Sequence, residues 1–199
     1  MKTLKEPSPT QEKLFDAARD LMLEKGFVAT TVDEICEAAG VTKGSFFHYF
    51  DSKEDLAKQL VVRFAKGMGK TFENACCSEK DPLDRVYTYI DCAIEHSKKP
   101  ESKGCLIGTF AQELSESHPE IRNICSDIFQ KSGESMKADL AAAKEKYAPK
   151  SKIDVLSLAE TFTATVQGSM ILMKAKKDKS VMRRTLTHYR QYLKTIFGR

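Results

Sequence analysis

The chain has 199 residues, 41% hydrophobic and 30% charged, with 32 Lys/Arg against 28 Asp/Glu, a net charge of +4 and six cysteines. That is the balance of an ordinary globular chain of one domain or two small ones, and it excludes a collagen, a disordered acidic tail and a disulfide scaffold. No stretch approaches the ~18 uncharged apolar residues of a membrane span, and residues 1–7 carry no apolar signal core, so the expectation is a cytoplasmic protein with reduced thiols.

Taken in chain order, the pattern predicts helices almost throughout, with no apolar/polar alternation of the kind a strand needs. The first helix spans about 10–24, with Leu14, Phe15, Ala18, Leu21 and Met22 on one stripe and Gly26 ending it. The second opens at Thr31, where Thr31 and Glu34 have the spacing of a capping box, and stops at Gly40. The third covers 42–49 with Thr42 as its N-cap. A long fourth helix starts at Ser52 and Lys53 and buries Leu56, Leu60, Val61 and Phe64. Gly67 and Gly69 lie inside it, each weakening a helix by ~1 kcal/mol relative to Ala. Further helices are expected at about 82–97, 105–115, 119–147, 152–176 and 180–197, with Pro82 and Pro119 in first-turn positions. Pro100 with Gly104, and Pro149, mark connections.

Two short helices around Gly40, Val41 and Thr42 have the form of a helix-turn-helix. Ile35, Val41 and Phe46 can form the small core between them. The second helix then presents Thr42, Lys43, Gly44, Ser45 and His48 outward. Short hydroxyls, one cation and a glycine suit a major groove, where the start of a recognition helix meets base edges and phosphates. The charge distribution limits how such contacts are made. Residues 1–60 hold 8 basic and 11 acidic side chains, net −3, whereas 174–199 hold nine basic and one acidic, net +8. DNA held by the N-terminal part would rest on a few placed cations, not a broad basic field; the basic tail reads as a solvated helix face.

The run TTVDEICEAAGVTKGSFFHYFDSKEDL over residues 30–56, with Ala17, Ala18 and the segment 21–27 around Gly26, resembles the TetR family of bacterial transcriptional regulators. The resemblance implies an all-α fold of about nine helices. A three-helix DNA-binding domain over 1–52 would be followed by a helical ligand-binding and dimerisation domain over 53–199. It implies a homodimer on a pseudo-palindromic double-stranded operator, released by a small-molecule effector, with no membrane partner. Thr31, Thr42, Lys43, Gly44, Ser45, Phe47, His48 and Tyr49 would form the DNA face, with Lys53 as a distant phosphate clamp. Phe47 stands where the family usually has Tyr, and a phenyl ring cannot donate to a phosphate. The last two helices would pair with their symmetry mates.

An effector pocket among helices five to eight would draw on Tyr87, Ile90, Cys105, Ile107, Phe110, Phe129, Phe162 and Val166. Lys103, Gly104, Cys105 and Leu106 resemble the segment opening the sixth helix in a branch of the family whose members include thiol sensors. Cys105 is therefore either a reactive thiol or a small buried hydrophobe. Adjacent Cys76 and Cys77 are poorly placed for a mutual disulfide. No metal-ligand spacing, cofactor motif, phosphate loop or nucleophile elbow is present, so an enzyme is not expected.

Overall fold

A computed structural model describes residues 7–76, 78–100 and 102–199 of the chain. Among these, every regular element is a helix: α1 (Pro9–Lys25), α2 (Val32–Ala39), α3 (Lys43–Tyr49), α4 (Lys53–Cys76), α5 (Pro82–Lys98), α6 (Leu106–Leu114), α7 (Pro119–Tyr147), α8 (Val155–Lys176) and α9 (Ser180–Phe197). The expected all-α order holds, with helix ends displaced by a few residues. The largest displacement is at α8, expected from 152 and beginning at Val155 because Asp154 caps the amides of Leu156 and Ser157. Residues 1–6, and Cys77 with the expected vicinal pair, lie outside the described residues.

Local chemistry accounts for the helix starts. Ser8 and Gln11 close a capping box on α1, Thr31 and Glu34 close another on α2, and the Thr42 hydroxyl accepts from the Ser45 amide on α3. Asp81 caps α5 through the amides of Leu83 and Asp84. Such caps satisfy amides that have no partner inside the helix and contribute ~1 kcal/mol each.

The chain divides into two compact units, one of residues 1–65 with 105–126, the other of 66–104 with 127–199. In the first, α1 packs on α2 and α6, and α2 packs on α3. Leu14, Met22, Ile35, Phe46, Leu56, Leu106, Phe110 and Leu114 are fully buried there. Phe50 lies between Phe15 and Phe46, with ring centroids at 5.3 and 5.4 Å.

In the second unit, α9 packs on α8 and α5. Leu83, Val86, Ile90, Leu140, Leu158, Met182, Leu186 and Leu193 form its core. Buried Tyr189 donates its hydroxyl to the Leu158 carbonyl at 2.8 Å. Arg85 grips the buried Asp139 carboxylate through Nε at 2.8 Å and Nη2 at 2.6 Å. Asp81 gathers Lys146, Arg199 and the Tyr147 hydroxyl around one carboxylate.

Candidate nucleic-acid interface and effector core

The α2–α3 turn is set by Gly40, whose φ of +65° lies in the left-handed region that favours glycine. Its amide bonds back to Cys36 and Glu37, and the Val41 amide to Cys36, which closes α2 in one residue. The chain then extends through Thr42 and re-enters a helix. Phe46 and Phe50 point inward and are buried. Thr42, Lys43, Gly44, Phe47 and His48 are exposed, and Ser45 and Tyr49 are half-buried. Phe47 is 51% exposed, too much for a core residue, with its ring edge on Phe46 at 5.2 Å. The His48 and Tyr49 rings meet edge-on at 4.8 Å. Thr31 is exposed at the start of α2, where its hydroxyl and amide both engage Glu34.

The cations of this unit are largely committed to partners inside it. Lys43 Nζ lies 2.9 Å from one Asp33 carboxylate oxygen and 3.2 Å from the other. Lys25 binds Glu34 at 2.5 Å, Lys58 binds Glu120, and Arg63 binds Glu12. Lys53 donates to the carbonyls of Phe27 at 2.9 Å and Thr30 at 2.7 Å and sits 4.2 Å from the centre of the Phe27 ring. An ammonium has three donors, and these two carbonyls take two of them. Hydrogen bonding to Asp33, and then the carboxylate charge, raise the pKa of Lys43. Hydrogen bonds from Lys25 and from the Thr31 amide and hydroxyl bring Glu34 from 4.5 down to about 2.

The loop after α1 is held from an element distant in sequence. The Glu113 carboxylate of α6 accepts from the amides of Phe27 and Val28, both at 2.8 Å. Gly26, at φ +88°, passes so close that a Cβ there would lie 2.9 Å from Glu113 Oε2. The Phe27 ring stands edge-on to Phe110 and to His118, with centroids at 6.0 and 5.3 Å.

The residues expected around an effector are divided between the units. Cys105, Ile107 and Phe110 belong to the first, and Phe110 is fully buried with its ring edge on Phe27. Tyr87, Ile90, Phe129, Phe162 and Val166 belong to the second. Ile90 is part of that unit's core, against which Tyr87, Phe162 and Val166 pack. Cys105 takes the N-cap position of α6 and is half-buried. Burial, and then the neighbouring Cys105, push the Cys125 thiol up to about 11. No atom lies within 4 Å of where a Cβ would stand at Gly67 or Gly69, so neither glycine is required by close packing.

With this geometry in place, the comparisons with known proteins are decisive. Residues 14–60 match the model of the bacterial regulatory proteins of the tetR family, and 82–189 match that of the tetracyclin repressor-like C-terminal domain. The chain belongs to the TetR family. It is a helix-turn-helix transcriptional regulator. It is similar to the transcriptional repressor DhaR of Mycobacterium sp. strain GP1, at 26% identity over 181 residues and 90% of each chain. It also resembles the repressor KstR2 of Rhodococcus jostii, at 42% identity over 88 residues, 44% of this chain and 43% of that protein. The fold matches a TetR regulatory protein from Rhodobacter sphaeroides with a TM-score of 0.83 and 24% identity, covering 92% of this chain and 98% of that one. Among the described residues, no helix is long and apolar enough to cross a membrane, and no cluster of His, Cys, Asp and Glu could hold a metal ion.

Sequence reasoning missed Asp33 as the partner of Lys43 and Glu113 as the support of the α1–α2 loop. Asp33 reads as an ordinary first-turn acid of α2. Glu113 lies 86 residues from Phe27, beyond the reach of any local pattern.

Proposed function

We propose that this TetR-family regulator is a homodimeric repressor that binds a pseudo-palindromic operator and is released by a small-molecule effector. Residues 1–52 bind DNA, and 53–199 bind the effector and dimerise. The observation that carries this reading is α3: Phe46 and Phe50 turn inward, while Thr42, Lys43, Gly44, Phe47 and His48 are exposed to solvent. Thr31, Ser45 and Tyr49 extend that face, and Lys53 borders it. Two such helices set ~34 Å apart reach successive major grooves, which needs a two-fold partner. Support for the partner comes from apolar residues exposed on the last two helices, Leu156, Ile171 and Leu172 on α8 and Tyr192 on α9, with Ile171 and Tyr192 50% and 54% exposed. Apolar residues left outside a helix packing favour a further partner surface.

The effector acts by binding the released state more tightly. Moving a population from 1:99 to 99:1 takes ~5.5 kcal/mol of differential affinity. Tyr87, Ile90, Phe129, Phe162 and Val166 are the candidate lining, and Gly67 and Gly69 the candidate soft point of α4. A chromosomal operator puts the protein to work in the cytoplasm, as a binding protein and not an enzyme.

A gel-shift titration against the DNA upstream of its own gene, with non-specific competitor, tests the reading. A discrete complex at nanomolar protein supports it. Weak, sequence-independent retardation, both there and on DNA selected from a random pool, refutes it. Replacing Ile171 and Leu172 together by Glu should give a monomer by light scattering and abolish the discrete complex.

A second reading, release by a thiol reagent at Cys105, draws support from the half-buried position of that residue at the start of α6, beside Cys125. Diamide should then release the operator from the wild type and not from Cys105→Ser. Equal release from both removes Cys105 from the mechanism.

A further inference from the structure

An acidic N-terminal segment is unexpected in a protein that binds a polyanion. The pairing of its cations gives that acidity a role. Lys25 and Lys53 are turned onto their own unit, one to Glu34 and the other to two loop carbonyls. Lys43 differs from both. It is the first residue of α3, and its side chain and that of Asp33 are 57% and 72% exposed. Its ammonium is within reach of both Asp33 oxygens. We propose that Asp33 is an affinity-limiting residue. It holds Lys43 on an internal carboxylate, so the recognition helix brings almost no net positive charge to a phosphate, and binding to DNA of arbitrary sequence stays weak. This rests on the reading that α3 faces DNA.

The physics favours a restraint over a lock. An exposed ion pair is a weak interaction, so a phosphate can displace the carboxylate. The displaced carboxylate then stays beside the phosphate and offsets the new contact. Non-specific affinity comes almost wholly from phosphate contacts, each steepening the dependence of log affinity on log salt by ~0.9. A masked Lys43 forfeits most of that increment. Asp33→Asn keeps the shape and removes the competing charge, and so restores it.

The test needs no knowledge of the operator. Fluorescence anisotropy with a labelled random-sequence 20-bp duplex, from 50 to 200 mM NaCl, is measured for wild type, Asp33→Asn, Lys43→Met and the double variant. Asp33→Asn should tighten binding about 5-fold at 100 mM NaCl and steepen the salt slope by ~0.9. In the Lys43→Met background the same change should gain less than twofold, with no change of slope. Three results overturn the proposal. If Asp33→Asn leaves the wild-type values unchanged, Asp33 does not limit binding. If Lys43→Met weakens binding by the same factor whether residue 33 is Asp or Asn, Lys43 meets DNA but Asp33 does not restrain it. If Lys43→Met has no effect in either background, Lys43 does not reach DNA, and the placement of α3 falls with the proposal. Both substitutions are at exposed side chains, and circular dichroism verifies that each variant is folded.

Discussion

Replacing Glu113 by Ala removes two hydrogen bonds from a carboxylate to backbone amides. The two are unequal. Phe27 is 2% exposed, so water reaches its amide poorly and the bond falls in the ~1.5–3 kcal/mol range of bonds to charged groups. Val28 is 67% exposed, and water can replace the carboxylate there at small cost. The expected loss is therefore ~2 kcal/mol, concentrated at Phe27. In a single transition of a chain of this size, that lowers Tm by ~4–8 °C. Hydrogen exchange gives the sharper reading: the Phe27 amide should exchange ~30-fold faster, the same ~2 kcal/mol expressed as an opening equilibrium, and the exposed Val28 amide by a smaller factor. Glu113→Gln should fall between wild type and Ala. Its carbonyl oxygen can serve one amide, but its NH2 then faces the other, donor against donor. A Glu113→Ala protein that melts within 1 °C of wild type, with unchanged exchange at both amides, would refute the reasoning.

Three other outcomes are expected. Glu34 has a folded-state pKa depressed to about 2 from 4.5, so its stabilising effect is complete above pH ~4.5 and lost as pH falls toward 2. Thermal melts of wild type and Glu34→Gln should differ at pH 7 and converge near pH 2; a gap that persists at pH 2 contradicts the assignment. Phe46 is 0% exposed, and Phe46→Ala should cost ~3–5 kcal/mol in urea unfolding together with all DNA binding; a cost below 1 kcal/mol would mean the helix-turn-helix core is not as described. Asp139→Ala takes the carboxylate from the half-buried Arg85 guanidinium, which retains the Glu79 and Lys80 carbonyls, and should cost ~2–4 kcal/mol, whereas a paired Arg85→Leu, Asp139→Leu change should recover part of it. A double variant as unstable as the sum of both single changes would show no coupling between them.

What could be read from the sequence was what local chemistry decides. Thr31 with Glu34, Gly40 and Thr42 fix three helix boundaries within a dozen residues. The four-residue spacing of Phe46 and Phe50 puts both on the buried side of α3. The α8 start shows the limit of this approach. Ile153 continues the apolar pattern of Leu156 and Ala159 backward, but the Asp154 side chain captures the first amides and the helix begins after it. The contacts that organise the candidate interface are of another kind. Lys53 meets the Phe27 and Thr30 carbonyls, and Glu113 meets the Phe27 amide, across 23 to 86 residues of chain. Periodicity carries no information about such meetings. Phe110 makes the same point. Its helical spacing marks it only as inward-facing, and the side it faces is that of Phe27.

The docking of α6 on α1, with Glu113 and Phe110 on the Phe27 loop, bears on how such regulators could be recombined. A transplant that joins the first 52 or 65 residues of one regulator to the remainder of another brings together a loop and an α6 that were never matched. The recipient's residue at position 113 must offer two acceptors where the donor's loop presents two amides, and the glycine at position 26 must meet a side chain that leaves it room. Compatible exchanges would carry the stretch from 105 to 126 along with the N-terminal helices, as two separate segments of one gene. The fold of this chain is therefore divisible at a boundary that no single cut in the sequence reproduces.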